Sequence, residues 1–157
     1  MARSLSNIKK PHYRVLYRDP AAFTVPADLT AWGTFLGTFT ELGYCEDKTI
    51  KLKGDKGDQI TVDDGTKLTQ GFNFSLEAKL LQTEAADFTA IGAIHGTSQD
   101  ILLYAADANR AIFIPTAVPY FLEDTTSGET EAVPMTIERE NLASQDDFRT
   151  RFAVPTS

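Results

Sequence analysis

The sequence predicts a mainly β protein: β-sandwich or barrel-like sheets with one flanking α-helix and long polar loops. Three observations carry this. Residues 70–82 alternate strictly, with Phe72, Phe74, Leu76, Ala78 and Leu80 on one face and Asn73, Ser75, Glu77 and Lys79 on the other. Strand geometry sends successive side chains to opposite faces, so this is one long half-buried strand. In residues 84–95 the period changes: Ala85, Phe88, Ile91 and Ile94 recur at three-residue steps, one stripe of a helix. Most of the remaining chain reads as short β runs separated by Gly, Pro, Asp and Asn.

In chain order, residues 1–11 read as a flexible N-terminal arm closed by Pro11. Tyr13, Val15 and Tyr17 alternate with Arg14, Leu16 and Arg18, a short strand stopped by Asp19-Pro20. Residues 19–32 carry Pro20 and Pro26 and read as a long irregular connection, which in a compact domain implies a task or a neighbour to rest on. In 32–43 the helical spacing of Phe35, Leu36, Phe39 and Leu42 is opposed by Gly33, Gly37 and three threonines, so extended or mixed structure is expected. Residues 47–69 form a hairpin arm: Ile50 and Leu52, a turn at Gly54-Asp55-Lys56-Gly57, then Ile60 and Val62. Asp63-Asp64-Gly65 is a second turn, leading into the long strand.

Thr83 can cap the helix that follows, Glu84 and Asp87 favour its first turn, and Gly96 can end it. Next come a strand at 101–104, a turn at Asp107-Ala108-Asn109 and a strand at 111–122. Pro115 and Pro119 place that last strand at an edge or give it bulges. Ser127-Gly128 turns inside an acidic loop. Val133, Met135 and Ile137 then alternate with polar neighbours, and a polar turn with Gln145-Asp146-Asp147 precedes a last strand. In that strand Phe148 and Phe152 flank Arg149 and Arg151.

The 157 residues suit one domain, 1–157, and a hydrophobic fraction of 42% suffices for its core. The net charge of −7 argues against a protein that grips phosphate backbones, which needs basic surface. Cys45 is the sole cysteine, so no internal disulfide is possible. The polar, basic N-terminus is no secretory signal, and no apolar run is long enough to span a bilayer. Synthesis in a cytoplasm and no membrane association are expected.

Chemistry finds little footing. His12, His95 and Cys45 fall short of the four ligands of structural zinc, and nothing local pairs Cys45 with a histidine. His95 reads as a favourable cation at a helix C-terminus. Gly54-x-x-Gly57 lies between strands, not between the helices of an RNA-clamping loop. Asp55, Asp58, Asp63 and Asp64 lack calcium-loop spacing. No enzyme activity, cofactor or metal is expected.

Taken together, Leu42-Gly43-Tyr44-Cys45-Glu46-Asp47, the strand with Ile50 and Leu52, the polar hairpin, Gly65, the strand closing in Leu80-Leu81-Gln82-Thr83-Glu84 and the single helix resemble the major tail tube proteins of tailed bacteriophages. The resemblance covers roughly residues 40–153, with Lys48 where a glycine is common in the opening phrase. It implies a structural protein of the virion tail, made in the host cytoplasm. Such a protein self-assembles into stacked hexameric rings, a tube through which DNA is delivered without specific binding. Other tail proteins (tape measure, terminator, a sheath if contractile) would be its further partners. On this reading Lys53, Gly54, Asp55, Lys56, Gly57 and Asp58 are the inter-ring arm. Asn73, Ser75, Glu77 and Lys79 line the lumen or a subunit seam, and helix 84–95 covers the outer side of the sandwich. Deleting 54–57 is then expected to leave folded subunits that no longer stack. The alternatives are a tube protein of a phage-derived contractile injection system and a monomeric small-ligand-binding β-barrel.

Overall fold

The computed structural model describes residues 13–45, 50–69, 71–82, 85–122, 125–127 and 130–156. Nine antiparallel strands form one sheet curled into a half-barrel. Along one path run β11 (Thr150–Ala153), β8 (Arg110–Ala117), β7 (Gln99–Ala105), β1 (Arg14–Arg18), β2 (Thr40–Cys45), β6 (Phe72–Gln82), β10 (Thr130–Leu142) and β9 (Thr125–Ser127). The ninth strand, β3 (Lys51–Lys56), pairs with β6 beside the short contact that β2 makes with β6 at Tyr44↔Leu81 and Cys45↔Leu80. A separate pair, β4 (Gln59–Thr61) and β5 (Lys67–Thr69), completes the strands. The expected mainly β class is what the chain forms.

Inside the curl lies the larger core. Val15, Leu42, Leu76, Leu80, Leu103, Ile114, Val133, Met135 and Ile137 are each at most 2% exposed. Burying such a side chain is worth about 1.5–3 kcal/mol. The alternation of β6 is what delivers Leu76, Ala78 and Leu80 to it. The helix α2 (Ala85–Ile94) adds Ile91 and Ile94 to this same inner cluster. Ile91 and Ile94 of the expected stripe thus belong to the inner cluster, where the sequence expectation had the helix covering the outer side of the sandwich. Gly96 ends the helix with φ +70°, as expected. Thr83 and Glu84 lie outside the described residues.

The opposite face of β1, β7 and β8 is covered by a helix that sequence reasoning did not expect. Residues Leu29–Gly37 form α1, after which β2 begins at Thr40, where extended or mixed structure was expected. Asp28 caps it, its carboxylate accepting from the Ala31 N–H at 2.8 Å. Gly33 and Gly37 cost helix propensity, but both face open space, and the apolar side of the helix buries Trp32 against the sheet. Tertiary packing of that side outweighs propensity. Because both its faces are covered, β7 reads as the unbroken apolar run Ile101-Leu102-Leu103. A third helix, α3 (Gln145–Phe148), stands where a polar turn was expected. The Ser144 N–H donates to the Asp147 carboxylate at 3.1 Å, and Phe148 stacks on Phe74. Among the described residues the single expected α-helix is thus three.

β8 pairs with β7 on one side and with β11 on the other only as far as Phe113. Pro115 lies beyond that last pair, and the register shifts between β7 and β8 in the same stretch, so the proline did mark a bulge.

Candidate functional site

The 47–69 arm is built differently from the expected hairpin. Gly54-Asp55-Lys56-Gly57 is no turn. Lys53, Gly54, Asp55 and Lys56 lie in β3, paired with Ser75, Phe74, Asn73 and Phe72 of β6. Gly54 is needed there, because a Cβ would sit 2.7 Å from the Phe74 ring. The β3–β6 and β4–β5 ladders share one register, every pair centred on residue 64. They form one long hairpin interrupted at Gly57, whose N–H donates to the Gly71 carbonyl at 2.7 Å. Its turn is Asp63-Asp64-Gly65, and Thr66 hydrogen bonds hold the Asp64 carboxylate below the usual range. Residues 47–49 lie outside those described.

Beyond Gly57 the hairpin runs on for roughly 20 Å past the β3–β6 ladder, at the usual rise per residue. Every residue of β4 and β5 is exposed. Ile60 and Leu68 face each other across the pair, 49% and 54% exposed, with Val62 nearby at 37%. A two-stranded hairpin alone in water is marginally stable. An apolar stripe on one calls for a cover that the described residues of its own chain do not supply.

The polar face of β6 extends across its neighbours. Lys51, Glu77 and Thr136 form one row, and Lys53, Ser75 and Glu138 the next. Asp55 lies opposite Asn73, and Lys79 opposite Pro134. Asn73 is half-buried, its side-chain oxygen accepting from the Asn141 N–H at 3.2 Å. Ser75 is also half-buried, while Glu77 and Lys79 are exposed. The face carries Lys51, Lys53 and Lys79 against Asp55, Glu77 and Glu138, so the charge of −7 is not concentrated here. The four residues predicted for a lumen or seam thus share one face with Lys53 and Asp55 of the predicted arm.

A cleft of about 640 Å³ opens where the sheet fails to close, between Ile50 and Leu52 on one side and the β8–β11 pair on the other. Tyr13, Ile112 and Phe152 add apolar lining, and Arg110 and Arg151 are its charged residues. Sequence reasoning missed this site. Its only sequence signal was the Arg149/Arg151 alternation in the last strand.

The titratable candidates are accounted for locally. Burial pushes the Cys45 thiol up to about 12, so it stays protonated at neutral pH. His95 Nδ1 accepts from the Phe121 N–H at 3.0 Å. Among the described residues no three His, Cys, Asp or Glu side chains group as metal ligands. No helix among them is long and apolar enough to cross a membrane.

No protein-family model matches the sequence, and no curated protein matches it. Among solved structures the chain is similar to one described as the tail of an empty GTA particle, computed with helical refinement in C6 symmetry. The TM-score is 0.44 at 9% identity, over 87% of this chain and 94% of that one.

Proposed function

We propose that this protein is a structural, non-catalytic subunit that assembles with copies of itself into stacked rings forming the tube of a phage-type tail. The observation that carries the reading is a sheet curled to half a barrel with one polar, uncovered face and a hairpin arm standing clear of it. Joining half-barrels around a rotation axis removes open strand edges, and head-to-tail contacts then repeat the ring along an axis. The sequence resemblance supplies the six-fold ring and the passage of DNA. The mixed-charge face with Asn73, Ser75, Glu77 and Lys79 is the surface assigned to the lumen or seam. Its balance of charge suits DNA that slides past without being held. A terminator and a tape measure are the partners such a tube would meet at its ends and in its bore.

The test is negative-stain microscopy with light scattering on the purified protein. Rings or tubes of uniform diameter are expected, and a monomer at every concentration would reject the reading. The ligand-binding barrel has one observation in its favour, the apolar cleft with two arginines, and it predicts that monomer.

A further inference from the structure

The two unmatched features of this molecule are complementary. The cleft is apolar with only positive charge: neither Arg110 nor Arg151 has a salt-bridge partner among the described residues, whose ion pairs are Arg14–Glu41 and Arg18–Asp100. Two residues before Arg151, Arg149 is 8% exposed with its Nε unpartnered. Burial and then the nearby Arg151 lower its pKa, with Asp146 opposing them. Buried polar groups ordinarily find partners, so positive charge here exceeds what the subunit answers. The β4–β5 arm has the opposite character. It exposes Ile60, Val62 and Leu68, and residues 57–69 hold Asp58, Asp63 and Asp64 against Lys67 alone.

We propose that the cleft between β3 and the β8–β11 pair receives the β4–β5 hairpin of a second copy, its apolar stripe covering Ile50 and Leu52 and its aspartates meeting Arg110 and Arg151. This rests on the tube reading and names the acceptor for its arm. The chain's own residues 1–12 are a poor occupant by charge, with Arg3, Lys9 and Lys10 and no acid. The contact is heterologous, arm to cleft, the kind that repeats from copy to copy along an assembly. It also places opposite charges at a seam, where like charges would be costly.

The test is site-directed cross-linking between two differently tagged full-length variants, Leu68→Cys and Ala153→Cys, both exposed positions. The native thiol of Cys45 is protonated by burial and does not compete. Mild oxidation of the mixture is expected to give the mixed covalent dimer well above either variant alone. Adding Arg110→Glu and Arg151→Glu to the Ala153→Cys partner should lower the yield about tenfold or more. Adding Asp63→Lys and Asp64→Lys to the Leu68→Cys partner should restore it. Rings by microscopy without the mixed dimer would overturn the docking and leave the tube standing. The mixed dimer without rings would keep the docking and reject the tube. A mixed dimer formed equally well by Leu122→Cys in place of Leu68→Cys would also overturn it.

Discussion

Asp100 gathers three donors at 1% exposure: Arg18 Nε at 3.0 Å, the Ala21 N–H at 3.1 Å and the Thr116 N–H at 3.0 Å. The Arg18 guanidinium in turn lies over the rings of Phe39, Phe35 and Phe113, 4.7–5.6 Å from their centroids. One carboxylate thus ties β1, the start of the connection to α1 and the bulge in β8. Removing it would leave a buried cation and two N–H groups unanswered. Asp100→Ala should lower stability by about 3–5 kcal/mol, read from urea unfolding at constant m-value. Thr116 makes the opposite prediction. It holds φ at +47°, strained for a β-branched residue, and is exposed. Thr116→Asn keeps the N–H to Asp100 and suits that conformation, so it should raise stability by up to about 1 kcal/mol in the same assay. Neither role was readable from sequence. Asp100 is an acid at the mouth of an apolar strand, and its partners are brought from 82 and 16 residues away.

At the scale of elements, α1 is held by an aromatic cluster. Trp32 lies 5.0 Å from Tyr104, 5.8 Å from Phe35 and 5.9 Å from Phe152, ring to ring. Trp32→Ala should cost about 3–5 kcal/mol and loosen α1 from the sheet, seen as loss of near-UV aromatic ellipticity and a lower Tm. The long hairpin separates stability from assembly. Replacing residues 58–70 by a two-residue turn between Gly57 and Gly71 removes residues 58–69, all of them exposed, together with Gln70, so the melting temperature should stay within a few degrees while tubes disappear from micrographs. Deleting 54–57, reasonable when that stretch read as a turn, would instead pull β3 from β6 and unfold the subunit. Alternation located β4 and the start of β3, but it read 54–56 of β3 as a turn and did not separate β5 from the long strand. Two Gly-rich turn signals stood nine residues apart, and only the shared register centred on residue 64 decides between them.

For the whole molecule, the consequence of the proposed tube is a bore whose charge can be set without touching the core. Glu77 and Glu138 are exposed and stand on the face with Lys51, Lys53 and Lys79. Glu77→Lys with Glu138→Lys should leave stability within about 1 kcal/mol. Tubes carrying it should retain duplex DNA in co-sedimentation, released as salt rises. If the substituted tubes hold no more DNA than wild type, this face does not line the bore.

By itself the sequence determined the β class, the long strand 72–82 with its two faces, the helix over Ala85–Ile94 and its end at Gly96. These follow from periodicity and local backbone preference, which are properties of neighbouring residues. Tertiary structure alone decided that Ile91 and Ile94 of α2 belong to the inner cluster, that the 29–37 stretch is helical despite Gly33 and Gly37, and that β3 belongs to β6. It alone assembled Tyr13, Leu52, Arg110 and Arg151 around one cleft. Those outcomes depend on which distant surfaces can be buried together, and burial outweighs the few tenths of a kcal/mol that local preference contributes per residue.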